Sequence, residues 1–283
     1  MKLHYWKEPG GNFGDDLNAW LWPKVLDGVL DEDGRELFVG IGTILTDALP
    51  SGARKVVFGS GAWRGRPLPK VDRDWRIVCV RGPLTAQLMG LPEDLAVVDP
   101  AVLVRKLLLE PCANGDAIGY MPHHYSEVVG GDVRSVCEDC GLVYISPSAG
   151  VESVLQSLRG CRLLFAEAMH GAIVADALRV PWVPVMAYPH ILRFKWEDWL
   201  RSLGLEGGFY RLCALWRNTE SAVGRFRYSV KKKLLAHQMR QMVRKATPAL
   251  SSESLLSARV ARLEELLDSF RQSVREGTLW LEK

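Results

Sequence analysis

Several features that mark special classes of protein are scarce or missing in this sequence of 283 residues. The longest apolar stretch, Cys161 to Pro189, is interrupted by charged side chains such as Glu167 and Arg179. It therefore falls short of the roughly 20 apolar residues that span a bilayer. The opening segment, Met1 to Trp6, lacks the apolar core of a signal peptide. We expect no transmembrane helix and no export, so the cytoplasm is the expected location.

Cysteine is also infrequent, with six residues spread along the chain. Some, such as Cys79, lie in apolar segments where a thiol behaves as a small hydrophobic group, which fits a reducing compartment. Cys137 and Cys140 have the C-x-x-C spacing of zinc and redox sites, but no second such pair or matching histidine pair follows. We expect no metal site and no cofactor.

What the chain contains is the ordinary balance of a globular protein, with 48% apolar and 24% charged residues. Short apolar segments typical of strands alternate with helical stretches. The predicted strands are Leu37–Val39, Lys55–Phe58, Arg76–Val80, Ala96–Val98, Asp116–Met121, Leu142–Ile145, Arg162–Ala166 and Trp182–Met186. This alternation indicates a doubly wound α/β fold, with parallel sheets covered on both faces.

The strand pattern pauses around Glu110 to Gly115 and stops beyond about residue 200. We therefore expect a first Rossmann-like domain over residues 1–110, a second over 111–200 and a helical extension over 201–283. Two such domains facing one another would leave a cleft at the carboxyl ends of their strands, where ligands bind in open α/β sheets.

The helical extension is basic between Ala222 and Ala246, where eight Lys and Arg residues occur without any acidic residue. Apolar side chains such as Phe226 and Met239 are interspersed among these cations. A helix of this kind can lie on an anionic membrane surface. It can equally pack on the protein and leave its basic face in water. Nucleic acid is not expected as a partner, because no recognition motif accompanies the charge.

The first candidate site is the turn Gly10-Gly11-Asn12-Phe13-Gly14-Asp15-Asp16, between an apolar strand-like segment and a predicted helix. A helix N-terminus after a glycine-rich turn presents unpaired N–H groups to an anion. Asn12, Gly14 and Asp15 are therefore candidate binding residues, and a capped turn without a ligand is an equally good interpretation. Similar turns follow the next two strands, at Gly40 to Thr43 and at Gly59-Ser60-Gly61. Ser60 and Gly61 could cradle a phosphate, although packing of helix on strand explains these turns almost as well.

Arg81 comes directly after a predicted strand and before Gly82-Pro83, so we expect its side chain to point into the cleft. A guanidinium there suits a carboxylate or a phosphate, and an ion pair with a neighbouring acid is the alternative. Asp99 takes the same position after the predicted strand Ala96–Val98 and is a further binding candidate.

Glu167 and His170 follow a buried strand and precede an apolar helix, where a polar pair is costly unless it has partners or a function. An acid and an imidazole three residues apart can supply general acid and base catalysis. We predict a catalytic role for both. His123 and His124 also follow a strand, and either could face the cleft or lie in a surface loop.

At these residues the chain resembles the polysaccharide pyruvyl transferases, and among them the exopolysaccharide glucosyl ketal-pyruvate transferases. The matching motifs, which extend over residues 3–186, are Asn12-Phe13-Gly14-Asp15, Arg81-Gly82-Pro83 with Thr85, Asp99-Pro100-Ala101, and Glu167 to Ile173 with Arg179-Val180-Pro181. Many family members have Arg-Leu-His where this chain has Ala168-Met169-His170. The histidine matches and the arginine does not, so Arg81, another arginine or the His123-His124 pair is expected to replace it.

The resemblance implies a fold similar to that of two-domain GT-B glycosyltransferases, with phosphoenolpyruvate held between the domains. It also implies transfer of the enolpyruvyl group to a sugar of an extracellular polysaccharide precursor, as a pyruvate ketal. The expected acceptor is a lipid-linked oligosaccharide or polysaccharide at the cytoplasmic face of the inner membrane, which favours membrane contact through residues 222–246. A GT-B nucleotide-sugar glycosyltransferase and a non-catalytic sugar-binding assembly protein remain alternatives.

Overall fold

The first half of the protein is built on a parallel sheet. A computed structural model describes residues 1–108, 115–217 and 221–281. The first four strands are β1 (Lys2–His4), β2 (Glu36–Val39), β3 (Arg54–Phe58) and β4 (Trp75–Cys79). They form one sheet in the order β1-β2-β3-β4, and every pairing is parallel. The helices of this half are α1 (Phe13–Val25), α2 (Pro83–Met89) and the short α3 (Val104–Leu107).

A second parallel sheet follows in the sequence. Its strands are β5 (Ala117–Met121), β6 (Val143–Tyr144), β7 (Cys161–Ala166), β8 (Trp182–Met186) and β9 (Tyr210–Arg211). Their order in the sheet is β6-β5-β7-β8-β9. The intervening helices are α4 (His124–Val129), α5 (Val133–Asp139), α6 (Val151–Arg159), α7 (Met169–Ala177) and α8 (Arg193–Ser202). The chain runs from β5 to one edge and returns to the other side of β5. The loops after β5 and β7 therefore diverge, as they do at ligand-binding switch points.

The prediction of an α/β fold with parallel sheets is confirmed, but one predicted strand is wrong. Residues 96–98 form only an isolated bridge, from Ala96 to Val80. Asp99 then accepts a hydrogen bond from the Ala101 amide and caps a 3-10 turn at Pro100–Leu103. The proline favours this turn because its ring fixes the backbone angle of the first helical residue. The second sheet also contains the two-residue strand β9, which was not predicted.

The buried core connects the two sheets. One continuous cluster of apolar side chains includes Phe38 and Phe58 of the first sheet and Leu164 and Ala166 of the second. Helix α7 is buried along almost its whole length and packs against α1 and against the turn that Asp99 caps. A helix that is apolar on all sides is stable in such a buried position. The beginning of α7, which carries His170, is therefore firmly placed beside the beginning of α1.

Two long helices, α9 (Ala222–Lys245) and α10 (Glu253–Arg275), complete the chain. Helix α9 packs against α5 and buries Leu235, Met239 and Met242. Helix α10 returns to the first sheet, where the rings of Phe270 and Phe38 lie 5.7 Å apart. Among the helices of the described ranges, none combines the length and the apolar character that crossing a membrane demands.

The two predicted domain boundaries, at residues 110 and 200, compare differently with the structure. The boundary between residues 110 and 111 lies outside the described residues. The boundary at residue 200 falls inside α8, and strand β9 of the second sheet lies beyond it. The second sheet therefore continues further along the chain than the sequence pattern indicated.

Candidate active site

A cavity of about 560 Å³ lies at the carboxyl ends of strands from both sheets. The segments after β1, β2 and β3 contribute from one sheet, and those after β5, β7 and β8 from the other. Its polar and charged lining residues include His4, Glu8, Asn12, Asp15, Thr43, Arg66, His123, His124, His170, His190 and Lys195. The position agrees with the rule that open α/β sheets bind ligands beyond the carboxyl ends of their strands.

Five of the six histidines of the chain line this cavity. The ring of His123 lies 4.4 Å from that of His124 and 5.2 Å from that of His190. Burial, followed by the repulsion that a positive charge on His124 or Lys195 exerts, lowers the pKa of His123 to about 2. Burial also lowers the pKa of His124 and of His190. The cluster is therefore neutral at pH 7, and its ring nitrogens are available as hydrogen-bond donors and acceptors.

Lys195 is a cavity residue that the sequence analysis missed. It lies in the first turn of α8, and burial, followed by the charge of Arg81, lowers its pKa to about 8. Asp15 opposes this shift. The amine still carries a proton at pH 7, in a site where water screens its charge poorly. The signal that could have found it is its position nine residues beyond β8, at the same sheet edge as His123 and His170.

His170 lies between a buried carboxylate and a helix N-terminus. Its Nε2 is 3.4 Å from Oδ2 of Asp99, which is completely buried. Its Nδ1 lies over Gly14 in the first turn of α1, so close that a Cβ added to Gly14 would be 2.0 Å from Nδ1. The carboxylate beside His170 is thus Asp99 rather than Glu167. Asp99 itself lies behind the cavity wall, which corrects its expected place in direct contact with substrate.

Asn12 and Asp15 lie where the first glycine-rich turn predicted them, in the cavity wall at the start of α1. The amide nitrogen Nδ2 of Asn12 donates to Oδ2 of Asp15 over 2.7 Å. Burial raises the pKa of the Asp15 carboxyl, while Asn12, His170, His124 and Lys195 oppose the increase. Asp15 is therefore a cavity acid close to two histidines and a lysine.

Glu167 occupies a different position from the one expected. It is completely buried, and it accepts hydrogen bonds from the Tyr120 hydroxyl over 3.0 Å and from the His123 amide over 3.2 Å. Burial raises its pKa, and a hydrogen bond from Ser126 opposes that increase. Ser126 Oγ in turn lies 2.9 Å from Nε2 of His190. Glu167 therefore holds the loop after β5, and with it the histidine cluster, from behind the cavity.

Arg81 is buried and does not line the cavity, in contrast to its expected direction. Its Nε donates to Oδ2 of Asp198 over 3.0 Å, and its Nη1 donates to Thr43 Oγ1 over 2.8 Å. Asp198 also accepts from the amide and the hydroxyl of Thr85. Burying a guanidinium without a partner would be costly, and this acid on α8 supplies one. Arg81 Nη2 has no hydrogen-bond partner among the described residues.

Ser60 and Gly61 also lie behind the cavity wall. The Ser60 hydroxyl is buried and donates to the carbonyl groups of Val39 and Gly40, which joins the ends of β2 and β3. A Cβ on Gly61 would lie 2.2 Å from Cζ of Arg81, so the glycine leaves room for the guanidinium. Packing, which was the alternative explanation for this turn, accounts for both residues. No group of three or more His, Cys, Asp or Glu that could hold a metal ion occurs in the described part of the chain.

Comparison with known proteins gives one clear relationship. The chain is 41% identical over 209 residues to the succinoglycan biosynthesis protein ExoV of Rhizobium meliloti (strain 1021). The match covers 72% of this chain and 66% of that protein, just under two thirds of its length. No family model matches the chain. No solved structure matches it either.

Proposed function

The chain belongs to the polysaccharide pyruvyl transferase family, and we propose that it transfers the enolpyruvyl group of phosphoenolpyruvate to a sugar of an exopolysaccharide precursor. The product would be a pyruvate ketal that bridges two hydroxyl groups of that sugar. The acceptor would be a lipid-linked oligosaccharide or polysaccharide, modified at the cytoplasmic face of the inner membrane. A two-domain arrangement similar to GT-B glycosyltransferases, with the donor between the domains, is part of the same proposal.

The observation that carries this proposal is the convergence of Lys195, the histidine cluster and the N-terminus of α1 in one cavity. Phosphoenolpyruvate has a carboxylate and a phosphate, and both require cationic or N–H partners in a partly dry site. Ala168, which stands where many polysaccharide pyruvyl transferases have an arginine, also lines the cavity. Lys195 shares that cavity and would supply the missing positive charge. Asn12 and Gly14 would bind the donor at the helix N-terminus, and His123 and His124 would donate hydrogen bonds to it.

His170 is our candidate general acid. Asp99 lies 3.4 Å from its Nε2, and the ring, which lines the cavity, would deliver a proton to the methylene carbon of the donor. One sugar hydroxyl forms a bond to the adjacent carbon and loses its proton. Phosphate then leaves, and a second hydroxyl attacks the same carbon to close the ketal. Of the two hydroxyl protons, one replaces the proton given to the methylene carbon and the other leaves with phosphate.

Asp15 is the cavity carboxyl best placed to accept a sugar hydroxyl proton, because it lies beside His170 and His124. Glu167 lies behind the cavity wall and would position His123, because it accepts a hydrogen bond from the His123 amide. Arg81 acts in the same way through Thr43 and through α8, which carries Lys195. In the proposed reaction, Asp15 is thus the proton acceptor, and Glu167 and Arg81 are positioning residues.

The test is a coupled measurement of binding and turnover. Phosphoenolpyruvate should raise the melting temperature of the protein, since a ligand that binds only the native state stabilises it. A panel of nucleotide sugars should not. Phosphate release should require a lipid-linked oligosaccharide acceptor, and the acceptor should gain the mass of a pyruvate ketal.

Two results would contradict the proposal. Stabilisation by a nucleotide sugar with no response to phosphoenolpyruvate would favour a glycosyltransferase that uses the same helix N-termini. Binding of the acceptor without phosphate release across a panel of acceptors would favour a non-catalytic sugar-binding protein.

A further inference from the structure

Helix α9 carries an apolar stripe that the rest of the described chain leaves exposed. Val223, Phe226, Val230 and Leu234 are exposed to 62%, 70%, 49% and 45% of their full surface. They recur at spacings of three and four residues, so they lie along one side of the helix. Large apolar side chains exposed singly are common, but four in a line form a continuous surface. We call these four residues the α9 stripe.

The α9 stripe lies on nearly the opposite side of the helix from the residues that anchor it. Leu235, Met239 and Met242 pack into the core cluster of the second sheet and are almost fully buried. With 3.6 residues per turn, these anchors point well away from Phe226 and Val230. The stripe is therefore not the edge of the buried face, and folding of the chain does not account for it.

Cations border the stripe on both sides. Arg227, Lys231 and Lys233 are exposed, and no acidic residue occurs anywhere between residues 222 and 246. Lys232, in contrast, is directed to the protein, where its Nζ donates to Oδ2 of Asp132 over 3.0 Å and to Ser135 Oγ over 3.0 Å. The surface is thus an apolar line with positive margins, and Lys232, whose amine is paired with Asp132, lies outside it.

From this surface we infer that α9 binds the interface of an anionic phospholipid bilayer. The stripe inserts among the lipid headgroups and acyl chains, and Arg227, Lys231 and Lys233 contact the phosphates. A second copy of the chain is a poorer occupant, because pairing the same faces would bring two sets of cations together without acids to compensate them. Nucleic acid would use the cations but would leave the stripe unexplained. This surface is separate from the cavity and does not depend on the proposed reaction.

The test is co-sedimentation of the full chain with vesicles. Binding is expected to vesicles that contain phosphatidylglycerol at low salt, and to be weaker at high salt and on neutral phosphatidylcholine. The variant Arg227→Glu/Lys231→Glu/Lys233→Glu should lower the partition coefficient by about a hundredfold or more, since each cation near such a surface contributes several-fold. Phe226→Ser/Val230→Ser should also lower it, which a purely electrostatic contact would not predict.

A matched control keeps this test specific. Lys70→Glu/Arg73→Glu/Arg76→Glu changes the net charge equally at exposed positions of the first half, and it should bind vesicles nearly as the wild type does. Circular dichroism should show that every variant keeps its helices. Absence of wild-type binding at low salt, or an equal loss in the control variant, would overturn the inference. Light scattering that shows a dimer dissociated by Phe226→Ser/Val230→Ser would assign the stripe to a second copy and would overturn it too.

Discussion

His170 is the residue whose surroundings define its chemistry most closely, with Asp99 beside one ring nitrogen and Gly14 beside the other. We predict that His170→Gln lowers phosphate release by roughly a hundredfold or more, the usual contribution of a positioned acid or base. Stabilisation by phosphoenolpyruvate should persist. The control is His237→Gln, an exposed histidine on α9. Near-normal turnover of the His170 variant would remove this residue from the mechanism.

A variant of Asp99 tests the pair of Asp99 and His170 in a second way. Asp99→Asn removes the carboxylate that lies 3.4 Å from Nε2 of His170, so turnover should fall by about tenfold or more while stabilisation by phosphoenolpyruvate persists. A purely structural aspartate would lower stability without lowering the turnover of the folded protein.

Lys195 makes donor binding depend on pH. Its pKa of about 8 means that it is charged at pH 7 and largely neutral at pH 9. An anionic donor binds the charged form, so affinity should fall by up to tenfold per pH unit above 8. Lys195→Met should weaken binding at pH 7 by roughly tenfold to a hundredfold, the scale of one hydrogen bond to a charged group.

Calorimetric titration with phosphoenolpyruvate at pH 7, 8 and 9 measures this effect. Lys195→Arg is the matched control, because a guanidinium keeps its charge at pH 9 and should abolish the decline. An unchanged decline in that variant would assign the pH dependence to another group.

At the scale of elements, the contact between α1 and α7 depends on a glycine. A methyl group on Gly14 would overlap the His170 ring, so Gly14→Ala should displace the imidazole and lower turnover by about tenfold or more, the order expected for a misplaced catalytic group. Gly52→Ala is the control, because nothing lies near the position of its added methyl group. Equal turnover of the two variants would show that the beginning of α1 can move without affecting the site.

The pair of Arg81 and Asp198 ties the loops after β2 and β4 to α8. Arg81→Met leaves Asp198 buried without its cation, and we expect the free energy of unfolding to fall by about 3 to 5 kcal/mol. Urea unfolding measures this, with exposed Arg64→Met as the control. Adding Asp198→Asn should restore part of the loss. If Arg81→Lys instead keeps stability but loses donor affinity, Arg81 contacts the donor directly.

At the scale of the whole molecule, the buried histidines couple stability to pH. The pKa of His123 in the folded protein is about 2, below its unfolded value of about 6.5. The unfolded chain therefore binds more protons between these values. Stability is fully present above pH 6.5 and decreases as the pH falls, by about 1.4 kcal/mol per pH unit for this histidine.

Urea unfolding at pH 7.5, 6 and 5 tests this dependence. His123→Gln should make the slope against pH shallower by about one proton, and His237→Gln, at an exposed position on α9, is the matched variant for comparison. A slope that is the same in all three proteins would mean that His123 takes up a proton in the folded state.

Local patterns were enough to predict the parallel α/β fold and nearly the full extent of α9. Apolar alternation and helical periodicity are properties of neighbouring residues, so a single sequence carries them. The same patterns placed Asn12, Gly14, Asp15, His123, His124 and His170 at the carboxyl edges of strands. All six line the cavity.

Tertiary packing decided which partners these residues have. Arg81 is paired with Asp198, which is 117 positions away, and His170 lies against Asp99 rather than against nearby Glu167. Lys195 enters the cavity only because α8 packs beside the loops of both sheets. A buried charged side chain needs a partner to offset its loss of hydration. Which residue becomes that partner depends on which helices and strands pack together, and the periodicity of neighbouring residues does not determine that packing.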